Sequence, residues 1–187
     1  MAEAYKEKPA ALQGCLLRGE NSLRIISNDG KVTLKLYTLA DAKEAFDLID
    51  RNRSHLSQFG DITADKYPTL ECFKQSILNL KDPNKLRFGI RNSDGILVGS
   101  INLAPDNHNF GSCEIGYYLG REFQGHGYMT RAVKALEDYA FDALGYREIR
   151  AVVREGNEAS SKVLLRCGYM KRTESGDEIT YIKTAWG

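Results

Sequence analysis

Apolar positions along this chain recur at two spacings, and the switching between them sets out the elements. Two short runs, Leu23-Arg-Ile-Ile26 and Val32-Thr-Leu-Lys-Leu-Tyr37, flank Asn28-Asp29-Gly30. Asp-Gly between such runs predicts a tight turn, because glycine accepts positive φ. Ala42, Ala45, Phe46 and Ile49 share one face at helical spacing, which predicts a helix to about Asn52 capped by Thr38 or Asp41. Leu70, Phe73, Ile77 and Leu80 predict a second helix near 70–80, with Thr69 as its cap. Between these helices, Arg53 to Pro68 holds polar and aromatic residues without a steady period. Such a loop inside a compact domain reads as a binding loop, with Phe59 and Tyr67 either shaping acceptor selectivity or packing.

From residue 86 the runs become strand-like. Leu86–Arg91 and Ile96–Leu103 flank Asn92-Ser-Asp-Gly95 as a hairpin, and Asp106-Asn-His-Asn-Phe-Gly111 leads into a third strand, Cys113–Leu119. Ala132, Val133, Leu136, Ala140 and Phe141 form the stripe of a helix over 130–144, which Gly145 ends. A strand over 148–154, a helix from Asn157 to about Arg166 closed by Gly168, and a strand over 179–184 complete the chain. The order predicts a mixed α/β domain around one sheet. Residues 1–22 are polar and broken by Gly14 and Gly19, and read as a mobile or loosely docked lead-in to a domain over 23–187.

Composition narrows the function. The 187 residues suit one domain, and a formal net charge of +1 argues against broad nucleic-acid binding. Cys15, Cys72, Cys113 and Cys167 lie too far apart for a disulfide framework or zinc site, and read as free buried thiols. No histidine pair has metal-ligand spacing, so no metal is expected. Neither an apolar leader nor a membrane-length run is present, which gives a cytoplasmic expectation without a membrane partner.

The candidate chemistry centres on the segment from Tyr117 to Thr130, between a strand and a helix. Gly125 and Gly127 remove side chains where a phosphate would sit, and successive backbone N–H groups at a helix N-terminus can converge on an anion. There is no third glycine for a dinucleotide fingerprint and no Gly-Lys-Ser/Thr for a Walker loop. Alone, the turn supports a generic anion site or a plain tight turn.

A second segment adds to it. Gln124-x-x-Gly127, followed about thirty residues on by Asn157-x-x-Ser160 and then Gly168-Tyr169, resembles the acetyl-CoA signature of the GNAT acyltransferases. Glu114-Ile-Gly-Tyr-Tyr-Leu119 and Ala45–Leu56 bring the resemblance closest to the RimJ/RimL branch, which acetylates α-amino groups of ribosomal proteins. The likeness covers roughly residues 30–185. It implies an α+β GNAT fold, a single mixed and largely antiparallel sheet flanked by helices. It also implies acetyl-CoA as cosubstrate and a primary amine as acceptor, either a small molecule or a protein or peptide N-terminus, ribosomal proteins included. A homodimer rests on the same analogy.

Carried over residue by residue, the resemblance places the CoA pyrophosphate on the turn of Gln124, Gly125, His126, Gly127, Tyr128, Met129 and Thr130. It places the pantetheine arm on Asn157, and a backbone N–H of the 114–119 strand, Tyr117 or Leu119, on the thioester carbonyl. That strand would splay from 148–154 to admit the ligand, and Gly116 suits a close approach or a bulge. Two residues depart from the pattern. Met129 stands where the family prefers a small residue and must point away from the phosphates. Leu164 stands where many members carry a tyrosine that protonates the thiolate, and Ser160, one turn earlier, is the substitute acid. Glu114 is the leading base, on the expectation that desolvation raises its pKa, with Glu174 and Glu178 as weaker candidates. Arg131, Lys162 and Arg166 are candidates for the CoA 3′-phosphate, with solvated surface charge as the alternative reading. His126 and His55 are read as solvent-facing or cleft-lining, and His108 as solvated. The alternative function is a non-catalytic acyl-CoA-binding module.

Overall fold

A computed structural model of the chain describes residues 23–60, 62–79, 84–107 and 109–186. The expected lead-in over 1–22, Cys15, Leu80 and His108 lie outside them. One eight-stranded sheet organises the rest: β1 (Arg24–Ile26), β2 (Val32–Leu36), β3 (Leu86–Asn92), β4 (Leu97–Pro105), β5 (Ser112–Leu119), β6 (Glu148–Arg154), β7 (Met170–Ser175) and β8 (Glu178–Thr184). Their spatial order is β1-β2-β3-β4-β5-β6-β8-β7. Every neighbouring pair is antiparallel except β5 and β6, which run parallel. This is the α+β architecture that the resemblance implies, a single mixed and largely antiparallel sheet.

Alternation along the strands sends side chains to two helical layers. Val32, Leu34 and Leu36 of β2 point to one face, together with Phe88, Ile101, Cys113 and Ile115 from β3 to β5. That face packs on α5 (Tyr128–Asp138) and α6 (Glu158–Arg166), whose Ala132, Val133, Leu136 and Leu164 are fully buried. The opposite face carries Tyr37 and Leu97 and is covered by α1 (Ala42–Arg51) and α4 (Leu70–Leu78) through Ala45, Ile49 and Phe73. The first five positions of β4 are all buried because both layers meet over them.

Caps follow the local chemistry. Asp41 accepts hydrogen bonds from the N–H and hydroxyl of Thr38 at 2.9 and 2.7 Å, fixing the entry to α1. The Thr69 hydroxyl accepts from the Cys72 N–H at 3.2 Å. Gly145 takes the left-handed conformation beyond the helical segment begun by α5, whose last turn, Tyr139–Ala143, is π-helical.

Three expectations change. β7 is an added strand: all its residues are exposed, so no alternation marks it, and pairing with β8 alone makes it a strand. The segment 53–68 is not a plain loop, since it holds α2 (Arg53–Leu56), a 3₁₀ turn (Ser57–Phe59) and α3 (Thr63–Lys66). Arg53 orders it by donating to the carbonyls of Ala64 at 2.7 Å and Tyr67 at 3.0 Å. Cys72 is exposed, whereas Cys113 and Cys167 are buried, with thiols pushed up to about 12 by desolvation. Among the described residues no helix is long and apolar enough to cross a membrane.

Candidate active site

The site begins where two strands part. β5 and β6 pair through Ser112↔Glu148, Cys113↔Ile149 and Glu114↔Arg150 and then separate, while β5 stays in register with β4 as far as Leu119. The Ser112 carbonyl accepts from the Asp106 N–H and the Gly120 N–H donates to the Val98 carbonyl, both at 3.0 Å. Backbone groups at even positions of β5 therefore face β4, and by alternation the N–H groups of Tyr117 and Leu119 face the gap that β6 has left. A cleft of about 990 Å³ opens there. Glu114, Gly116, Tyr117, Leu119, Gln124, Met129, Asn157 and Ser160 all line it.

At one end stands the glycine turn. A 3₁₀ turn, Arg121–Phe123, delivers the chain to Gln124, and Gly125 and Gly127 follow with φ of 80° and 73°. A Cβ on Gly125 would meet nothing within 4 Å, so the ground above it is open. Gly127 is the N-cap of α5 and offers no side-chain cap, which leaves first-turn N–H groups available to an anion. A Cβ on Gly127 would stand 2.6 Å from Nη1 of Arg131. That guanidinium lies along the turn, donating to the His126 carbonyl at 3.2 Å and to Asp29 at 2.6 Å. The Arg131 hydrogen bond is the main cause that holds the Asp29 carboxyl near 2.

The remaining turn residues divide clearly. Met129 is buried in the core, so its side chain leaves the turn, as a tight anion site requires. His126 is exposed and its ring stacks on Tyr128, with centroids 5.5 Å apart. Nε2 of Gln124 lies 3.1 Å from Nε2 of His55, which joins the turn to α2. Thr130 accepts at its carbonyl from the Cys167 thiol at 3.7 Å, tying α5 to the end of α6.

The wall across the gap is the first turn of α6. Oδ1 of Asn157 caps that helix by accepting from the Ser160 N–H at 3.1 Å, and its amide nitrogen has no protein acceptor among the described residues. The Ser160 hydroxyl donates to the Tyr117 hydroxyl at 2.9 Å, and Tyr117 donates back to the Ser160 carbonyl at 3.3 Å. Burial raises the Tyr117 pKa, so this phenol keeps its proton at neutral pH. Leu164 faces the core, fully buried. Lys162 pairs with Glu158 at 2.8 Å on the exposed side of α6, away from the cleft lining. Glu114 is exposed, so the burial expected of it on a central strand is not found.

The family comparison decides the identity. The acetyltransferase (GNAT) domain matches residues 31–170. The chain belongs to the GNAT acetyltransferase family. It is 34% identical over 139 residues to a Bacillus subtilis protein described as "Probable N-acetyltransferase YjcK", covering 71% of this chain and 77% of that one. The ribosomal-protein-S5-alanine acetyltransferase of Vibrio fischeri superposes with a TM-score of 0.74 at 26% identity, covering 82% of this chain and 93% of the other. The fold also matches RimL, the ribosomal L7/L12 α-N-protein acetyltransferase, in a structure with coenzyme A, at a TM-score of 0.75 and 20% identity over 86% of this chain and 97% of that one.

Within this GNAT-family chain, the structure brings out features that the linear pattern concealed. Tyr117 was singled out for its backbone N–H, but its hydroxyl also meets Ser160. Asn102 of β4 lies opposite Gly116, and its amide donates to the Gly116 carbonyl at 2.9 Å, occupying the space a Cβ would need. Gly116 thus admits an amide side chain, with no bulge in that register. Arg87 of β3 lies two strands away on the same face and also lines the cleft. Only cross-strand register could have revealed these two, because neither belongs to a motif. Among the described residues no group of three or more His, Cys, Asp or Glu side chains is placed to hold a metal.

Proposed function

We propose that this enzyme transfers the acetyl group of acetyl-CoA to a primary amine, with the α-amino group of a protein or peptide as the leading acceptor. The parting of β5 from β6 carries the reading, because it leaves two N–H groups aimed into a cleft that ends at an uncapped helix N-terminus. Acetyl-CoA supplies an activated acetyl thioester. The chain's own groups suit each remaining task. The turn from Gln124 to Thr130 offers N–H groups for the pyrophosphate, and the free amide of Asn157 offers a donor to the pantetheine arm. The N–H of Tyr117 or Leu119 is positioned for an oxyanion. Ser160 and Tyr117 form a hydroxyl pair that can deliver a proton to the leaving sulfur. Glu114, at the cleft and in contact with solvent, accepts the amine proton directly or through water.

The α-amino preference is supported by the likeness to the S5-alanine acetyltransferase, and ribosomal proteins are the acceptors it suggests first. Thiol release from acetyl-CoA, measured against a panel of N-terminal peptides and small amines, tests the reading. Turnover with a peptide α-amine is the expected result. Tight CoA binding with no thiol released for any amine would overturn it in favour of an acyl-CoA-binding module.

A further inference from the structure

Arg87 is the strongest charged feature of the cleft that the transfer reaction leaves unused. It lies on β3 opposite Asn102, which in turn lies opposite Gly116, so Arg87, Asn102 and Gly116 form one cross-strand row on the face under α1 and α4. Two strand spacings separate Arg87 from Gly116, on the order of 10 Å between backbones. Glu114 and Tyr118 sit on the same face of β5, so this row runs from the expected site of amine attack toward the acceptor end of the cleft.

The guanidinium is only partly satisfied. Nη1 donates to the hydroxyl and carbonyl of Ser76 at 2.9 and 3.3 Å, and no carboxylate pairs with Arg87 among the described residues. Nη2 and Nε have no protein acceptor there. The rings of Phe73, Tyr67 and Tyr37 lie 5.3, 5.4 and 5.9 Å from its central carbon. They hold the group in place and strip water from it, which strengthens any hydrogen bond to an anion. Lys66 lines the same cleft and adds to its positive charge. A half-bonded arginine in an aromatic frame, facing a cavity, has the donor geometry for a planar oxyanion.

We propose that the acceptor is an amine carrying a carboxylate several bonds from its nitrogen, and that Arg87 binds that carboxylate through its free N–H groups. A peptide with an acidic side chain at its second or third residue meets this description, and so does a small amine with a remote carboxylate. Polycationic amines such as spermidine do not. The proposal rests on the acetyltransferase reading for the place of the amine, but it can be tested apart from turnover.

Two matched series serve as probes: Ser-Glu-Ala amide against Ser-Gln-Ala amide, and 6-aminohexanoate against its amide. In the native enzyme the acidic member of the accepted series should show kcat/KM at least about 10-fold higher, the worth of one charge-assisted hydrogen bond. Whichever series shows the effect distinguishes a peptide from a small molecule. In Arg87→Met the ratio should fall to within about 2-fold, the acidic member losing at least about 5-fold more than the neutral one. Arg87→Lys, which keeps the charge but loses the fork, should fall between them. Calorimetric binding of the N-acetylated products gives the same comparison without chemistry. Failure of all turnover with preserved carboxylate discrimination in binding would sink the transferase reading and keep this one. Equal affinity and equal rates for acidic and neutral members, or an equal loss for both in Arg87→Met, would overturn the role of Arg87.

Discussion

At the scale of single residues, the proton proposed for the leaving sulfur comes from a pair of hydroxyls. Ser160 donates a hydrogen bond to Tyr117, and the Tyr117 hydroxyl donates to the Ser160 carbonyl, so the two orient one another across the cleft. Ser160→Ala should lower kcat by roughly 10- to 100-fold while leaving the KM for acetyl-CoA within about 2-fold, the pattern of an interaction used in the transition state. Steady-state kinetics with a saturating acceptor read this directly, and an unchanged kcat would remove Ser160 as acid. Glu114→Gln should also act mainly on turnover, by about 100-fold, because its carboxylate lies at the cleft with no structural partner among the described residues to lose. Equal turnover of the two proteins across the pH range would exclude Glu114 as base.

At the scale of elements, one side chain caps α6 and, in the proposed function, also meets the cofactor. Asn157 caps the helix through its oxygen and leaves its amide nitrogen for a ligand. Asn157→Ala should lose both, costing about 1 kcal/mol of stability together with acetyl-CoA affinity. Asn157→Asp keeps the capping oxygen, so it should recover the stability but not the affinity. Thermal melts and CoA titrations on both variants separate the roles; full CoA affinity in the Asp variant would assign Asn157 to the cap alone. The turn before α5 is constrained differently. Gly127 combines a φ of 73° with the Arg131 guanidinium 2.6 Å from where a Cβ would lie. Gly127→Val should therefore cost about 1–3 kcal/mol in backbone strain and sharply weaken CoA binding. Retained CoA affinity would place the pyrophosphate elsewhere.

At the scale of the whole molecule, one charge cluster fastens the helical layer to the sheet. Asp41, at the entry to α1, is buried and meets Lys35 of β2 at 2.7 Å and Arg91 of β3 at 3.0 Å. Burial alone would raise its pKa, but the Lys35 and Thr38 hydrogen bonds outweigh it and the net shift is downward. A carboxyl whose folded pKa lies below its unfolded value of 3.8 adds stability at higher pH, and that stability is lost as pH falls through 3.8 toward the lowered value. Asp41→Asn should cost about 2 kcal/mol near pH 7, because Lys35 loses its carboxylate while Arg91 keeps Glu44. Its deficit relative to the native chain should shrink below about pH 4. Urea unfolding at pH 7 and pH 3 measures both, and a deficit that is constant across that range would discount the ion cluster.

The periodicities of β2, α1, α4, α5 and α6 were readable in the chain because each buries one face against a large core, whereas β4, buried on both faces, reads as an apolar run. The glycine turn and the Asn157 cap were readable for a second reason: both act through local backbone geometry, which a short motif encodes. β7 escaped notice because an exposed edge strand needs only a partner's hydrogen bonds and no apolar pattern. The short helices over 53–66 depend on one arginine reaching carbonyls eleven and fourteen residues away. Likewise, the Tyr117–Ser160 pair, 43 residues apart, and the row of Arg87, Asn102 and Gly116 exist only through strand register and helix placement. The sequence by itself determined the fold and the cofactor motif, since these follow from burial and local conformation. The tertiary structure alone decided which hydroxyls meet and which cation lines the cleft, because those contacts join residues that no local pattern relates.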